Sequence, residues 1–126
     1  MSNGVKKILF IEDESALQRA ATEVLEEEGY AVFSALDGEA GLEKARIEQP
    51  NLILLDLVIP KKDGFEVLAE LKDDPATKDI PVVILSNLEG SGDVERALAL
   101  GARTYLVKTN YRLDEVVEKI KQILKS

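Results

Sequence analysis

Residues with usable chemistry collect directly after short apolar runs. Glu12 and Asp13 follow Ile8–Ile11, Asp56 follows Leu52–Leu55, Ser86 and Asn87 follow Val82–Leu85, and Lys108 follows Thr104–Val107. Carboxylates gathered out of water repel one another and lose hydration. A hard cation relieves both costs. Mg2+ takes carboxylate, carbonyl and water oxygens in an octahedron and is commonly completed by a phosphate. If the run ends share one edge, acids from two runs with a hydroxyl and an ammonium point to Mg2+-dependent phosphoryl chemistry. Lys108 and Ser86 would then serve the phosphoryl oxygens.

Composition narrows the alternatives. The chain of 126 residues has no His and no Cys. That removes Ser–His–Asp catalysis, His-ligated metals, a phosphohistidine carrier, disulfides and thiol nucleophiles. Sixteen Lys and Arg against 24 Asp and Glu give a net charge of −8, the wrong sign for a general binder of nucleic acid or anionic membrane. No apolar run approaches the ~18 residues of a membrane span, and MSNGVKK does not lead into a signal-peptide core. A cytoplasmic location is the expectation.

The elements that must position these residues follow from the pattern. The three strongest apolar runs, Ile8–Ile11, Leu52–Leu55 and Val82–Leu85, do not alternate with polar residues, as suits strands buried on both faces. Ala31–Ala35 and Thr104–Val107 are weaker strand candidates. Leu17, Ala20, Ala21, Val24 and Leu25 repeat at helical spacing, with Gly29 as closing cap. Leu42 and Ala45 mark a second helix closed before Pro50, and Phe65, Val67, Leu68 and Leu71 a third. Val94, Ala97, Leu98 and Leu100 mark a fourth, ended by Gly101. Leu113, Val116, Val117, Ile120, Ile123 and Leu124 form the clearest stripe, a fifth. Strand and helix alternate five times, which predicts a doubly wound α/β fold around a parallel sheet. Ligands of such sheets bind beyond the carboxyl ends of strands, where strand order reverses. Leu36-Asp37-Gly38, after the second strand, reads as a turn and helix cap. A dinucleotide fingerprint and a P-loop are absent; the turn after the first strand reads IEDES.

Taken together, the acid pair Glu12–Asp13, LILLD ending at Asp56, the PKKDG segment, Ser86, and GA-x-x-Y-L-V-K ending at Lys108 resemble the receiver domain of two-component response regulators. The resemblance covers about residues 6–124. It implies the CheY-like, flavodoxin-like five-stranded sheet, order 2-1-3-4-5; the chain's length leads us to expect a single receiver domain over 1–126 without an output domain. It also implies that Asp56 accepts a phosphoryl group from a phosphohistidine on a sensor kinase or phosphotransfer protein. Glu12, Asp13, Asp56 and the backbone carbonyl of Val58 would hold Mg2+. Lys108 would pair with Asp56 and then with the phosphoryl group, Ser86 would swing to a phosphoryl oxygen, and Tyr105 would be the switch aromatic. The only catalysis implied is the protein's own phosphorylation and dephosphorylation. The fourth helix, fifth strand and fifth helix would form the face for a downstream protein.

Each residue has a plainer reading. Glu12 and Asp13 could favour a helix N-terminus, with Asp13 or Ser15 as N-cap. Asp56 could open a turn, Lys108 could be a solvated strand end, and Ser86 a loop hydroxyl. Joint occurrence in this order favours the functional reading. Elsewhere the plainer reading stands: Leu17, Leu25 and Phe65 belong to the core, Tyr30 and Phe33 to packing, and Glu26–Glu28 to a solvated helix end.

Two positions depart from the family pattern. Thr109 follows Lys108 where the family usually has Pro after a cis bond. A cis bond costs about 2.5–4 kcal/mol before a non-proline residue, against about 0.5–1 kcal/mol before Pro. The aim required of Lys108 leads us to expect a retained cis bond. Asn87 stands where a small residue is common and is expected to alter the lifetime of the phosphorylated state. Competing functions are a phosphorylation-independent interaction module with the same fold, and a Mg2+-dependent phosphohydrolase. The latter type needs an Asp where this chain has Val58.

Overall fold

The computed structural model describes residues 4–125. Strands and helices alternate: β1 (Lys7–Ile11), α1 (Ser15–Glu27), β2 (Ala31–Ala35), α2 (Gly38–Glu48), β3 (Leu52–Leu55), α3 (Gly64–Asp73), β4 (Val82–Ser86), α4 (Ser91–Ala99), β5 (Thr104–Val107) and α5 (Leu113–Lys125). A single 3-10 turn, Lys108–Asn110, joins β5 to α5. All strand pairs are parallel, in the order β2-β1-β3-β4-β5. Both the doubly wound class and the strand order match the expectation.

Successive strand residues face opposite sides of the sheet. Leu9, Ile11, Ile53 and Leu55 pack toward α2, α3 and α4, while Ile8, Phe10, Leu52 and Leu54 pack toward α1 and α5. Both faces are therefore apolar, which is why the strands read as unbroken runs. Phe65 and Leu25 are buried and Leu17 is partly so, as expected of core residues; Tyr30 and Phe33 pack at the core margin. Leu98, read into the helical stripe of α4, is instead 46% exposed, because α4 turns only Ala97 fully inward.

Helix ends follow local chemistry. Asp37 caps α2 by accepting from the Ala40 N–H at 2.8 Å, and Asp63 caps α3 by accepting from the Glu66 N–H at 3.0 Å. Gly29 (φ 97°) and Gly101 (φ 113°) take the left-handed conformation just past α1 and α4, where a Cβ is unfavourable. α1 does not bear out the plainer reading of its first turn. Its cap position is Glu14, with no side-chain cap, so neither Asp13 nor Ser15 fills that role. The acids of this turn are directed at the sheet edge instead.

A correction concerns Lys108–Thr109. No peptide bond among the described residues is cis. Thr109 offers none of the proline relief that makes a cis bond inexpensive, and Lys108 reaches the acids through a trans bond.

The chain order reverses between β1 and β3. There Ile11 lies beside Leu55, and the Asp56 N–H donates to the Ile11 carbonyl at 3.1 Å. The residues that follow, Glu12 and Asp56, are thus neighbours at the carboxyl edge. Among the described residues no helix is long and apolar enough to cross a membrane.

Candidate functional site

The edge gathers the acids the sequence singled out. Carboxylate oxygens of Glu12, Asp13 and Asp56 lie within 4.8 Å of one another. Glu12 and Asp56 are buried, at 1% and 4% exposure, while Asp13 stands open to solvent at the rim. Lys108 reaches in from the 3-10 turn. Its Nζ is 2.7 Å from Glu12 Oε1 and donates to Asp56 Oδ2 at 2.9 Å. The remaining oxygens meet backbone donors: Glu12 Oε2 accepts from the Glu14 N–H and Asp56 Oδ1 from the Val58 N–H, both at 3.1 Å.

Electrostatics is unbalanced. One ammonium faces three carboxylates. Burial, aided by the charge of Asp56, pushes the Glu12 carboxyl above the ordinary carboxylate range despite Lys108. Burial alone would lower the Lys108 ammonium, but its contacts with Glu12 and Asp56 outweigh that and hold it above its usual value. The Lys108 ammonium is the one polar group that meets the buried Glu12 Oε1 among the described residues. An oxygen-only donor set and an excess of negative charge suit a hard divalent cation. Asp13 supplies the solvent-facing side of such a site.

Ser86 and Tyr105 meet at a different point. Ser86 is fully buried at the end of β4, and its Oγ accepts from the Leu88 N–H at 3.4 Å. The Tyr105 hydroxyl donates to the Leu88 carbonyl at 2.6 Å. Both side chains therefore hold the loop after β4 rather than the acids. Asn87 is exposed between them, and the Val58 side chain is exposed beside Asp56.

Two features escaped the sequence reading. One is the bridging of both buried acids by Lys108. The other is Gln18, buried on α1, whose amide nitrogen lies within 2.8–3.1 Å of the Phe10, Glu12 and Ala35 carbonyls. Its signal was present: Gln18 shares helical spacing with Ala21 and Leu25, the buried residues of α1.

The receiver-domain family model, described as response regulator receiver domain, matches residues 8–121. The chain is 42% identical over 102 residues to Response regulator PleD of Caulobacter vibrioides, covering 81% of this chain and 22% of PleD. It thus spans about a fifth of that relative. It is 40% identical over 119 residues to Response regulator Rcp1 of Synechocystis, covering 86% of this chain and 80% of Rcp1. Among solved structures, the Mn2+-bound form of Rcp1 superposes with a TM-score of 0.80 at 38% identity, covering 93% of this chain and 92% of that one. The phosphorylated cyanobacterial phytochrome response regulator RcpA superposes with a TM-score of 0.83 at 36% identity, covering 98% and 96%. With fold, acid cluster and family match in agreement, the chain belongs to the response regulator receiver domain family.

Proposed function

We propose that this chain is a phosphoacceptor switch in which Asp56 is phosphorylated by a phosphohistidine of a sensor kinase or phosphotransfer protein. The observation that carries this reading is the Lys108 ammonium set between Glu12 and Asp56, at 2.7 and 2.9 Å, in a cluster of three carboxylates. The Mn2+ of the Rcp1 structure and the phosphorylated state of RcpA support it by similarity.

In the proposed step an Asp56 carboxylate oxygen attacks the donor phosphorus. The P–N bond breaks, its electron pair goes to the donor nitrogen, and an acyl phosphate forms. A carboxylate is a weak nucleophile, so positioning and charge neutralisation must lower the barrier. The Val58 N–H orients Oδ1 of Asp56, and Lys108 shields the charge that would repel an incoming phosphate. Glu12, Asp13, Asp56 and the Val58 carbonyl would hold Mg2+, which when bound supplies the remaining charge neutralisation. Ser86 would donate its hydroxyl to a phosphoryl oxygen, drawing the Leu88 loop with it. Attack of water on phosphorus would release phosphate and restore Asp56. No separate substrate is turned over. The phosphorylated chain would act in the cytoplasm, by binding a protein through the face of α4, β5 and α5 or by passing the phosphoryl group onward.

Intact mass after incubation with Mg2+ and acetyl phosphate tests the reading. A single phosphoryl adduct is expected, absent with a chelator and absent in Asp56→Ala. No adduct, together with no binding of beryllium fluoride, would overturn it in favour of an interaction module. Rapid turnover of acetyl phosphate would instead indicate a hydrolase.

A further inference from the structure

Gln18 is 5% exposed and lies on α1 facing the carboxyl ends of β1 and β2. Its amide nitrogen carries two hydrogens. It serves three carbonyls: Phe10 at 2.8 Å, Glu12 at 3.1 Å and Ala35 at 3.1 Å. Turning the amide over would set its oxygen against all three, so its orientation is determined. The amide oxygen is buried and has no hydrogen-bond partner, which disfavours an amide at this position. An apolar residue here would escape that cost and lose the three donations.

The Glu12 carbonyl is the informative acceptor. The paired register of β1 and β2 ends at Ile11 and Ala35. One residue on, the Glu12 N–H still donates to the Ala35 carbonyl at 2.9 Å. Past that rung β2 turns away toward α2, so the next strand donor is missing, and the Gln18 amide takes its place. The Glu12 carbonyl belongs to the peptide that joins Glu12 to Asp13. Holding it sets the direction in which both side chains leave the backbone.

We propose that Gln18 is a positioning residue for the cation site: through the Glu12 carbonyl it holds the Glu12–Asp13 peptide in the orientation that brings both carboxylates to Asp56. This rests on the cation-dependent reading of the acid cluster given above. Gln18 touches neither the acid side chains nor any reacting atom. It acts through the backbone, and through the Ala35 carbonyl it ties the same turn to the edge strand.

The test uses the full chain with Mn2+ as probe, free Mn2+ being read by electron paramagnetic resonance. Wild type is expected to bind one Mn2+, and Asp13→Asn to lose it. Gln18→Met keeps the length and removes the donors; about tenfold or greater loss of Mn2+ affinity is expected. Amide hydrogen exchange at Glu12 and Glu14 should quicken in it while the amides of β3 and β4 stay protected. Ala21→Gly loosens the same helix without touching the Glu12 peptide and should leave Mn2+ affinity unchanged. Equal losses in the two variants, or no loss in Gln18→Met, would overturn the proposal. Should Gln18→Met not fold, Gln18→Asn keeps the amide but withdraws it, and the same loss is expected. If wild type binds no Mn2+, the cation reading fails by itself. The clamp is then judged on exchange at Glu12, and unchanged exchange in the variant overturns it.

Discussion

The Tyr105 hydroxyl donates to the Leu88 carbonyl at 2.6 Å, fastening β5 to the loop that follows Ser86. Because Ser86 Oγ accepts from the N–H of that same residue, Leu88 is held on both its backbone groups by the two side chains expected to move in switching. On the proposed reading, a displacement of the Ser86 hydroxyl toward a phosphoryl oxygen would draw on Leu88 and so bear on Tyr105.

Alkaline titration reports the burial of the Tyr105 hydroxyl. Burial, followed by the negative charges of Asp93 and Asp56, raises the Tyr105 phenol above its ordinary 10.0. The native state favours the protonated phenol. Its contribution to stability is fully present below the ordinary value and is lost as pH rises through the raised native one. In Tyr105→Phe, the ultraviolet tyrosinate titration should lose part of its late component, and the fall in stability at alkaline pH should become shallower. A titration curve that merely shrinks without changing shape would count against a raised Tyr105 phenol.

Lys108 balances two buried acids. Lys108→Ala should lower the unfolding free energy by about 3 kcal/mol, the scale for breaking a buried ion pair. Urea denaturation without divalent cation measures it. On the proposed reading Mg2+ would bind only the folded acid cluster, and it should then restore more stability to the variant than it adds to wild type. An equal Mg2+ effect in both proteins would contradict this picture.

Asn87 is exposed immediately after Ser86, and the proposed reading has its amide cover or contact a phosphoryl group on Asp56. Asn87→Ala should change the half-life of the acyl phosphate at least twofold without altering the extent of Mg2+-dependent phosphorylation. The decay of the intact-mass adduct after removal of acetyl phosphate gives the half-life directly. Equal half-lives would remove Asn87 from the site.

Gly64 begins α3 against the backbone just past β3. A Cβ there would overlap Leu57 Cα and approach the Asp56 carbonyl oxygen to 2.7 Å. Its N–H also donates to the Leu57 carbonyl at 2.9 Å. Gly64→Ala should cost about 1–3 kcal/mol, as overpacking does, and should slow phosphorylation of Asp56 by moving its backbone. Thermal unfolding and the rate of adduct formation check the two effects.

Much of this was legible in residue order alone. Unbroken apolar runs such as Leu52–Leu55 marked strands covered on both faces, because a parallel sheet hides both of its sides from water. Asp37 and the glycines 29 and 101 marked helix ends, because capping and left-handed geometry are chosen by local chemistry. Residue types after each run named the acid cluster. These features depend on neighbours within a turn or a strand, so a linear pattern carries them.

Tertiary structure decided the rest. Lys108 and Asp56 are 52 positions apart, and only strand order and register make one ammonium bridge Glu12 and Asp56 while Asp13 stays in water. The same neighbourhood left the peptide after Lys108 trans, withheld the α1 cap from Asp13 and Ser15, and turned Leu98 outward. It also gave Gln18 its three carbonyls, which come from two strands and a turn. Sequence determined which elements form and which chemistry lies at their ends, because those are set by short-range physics. Which charges meet, and how many partners each has, was decided by packing across the sheet, where burial and distance rather than residue type set the balance.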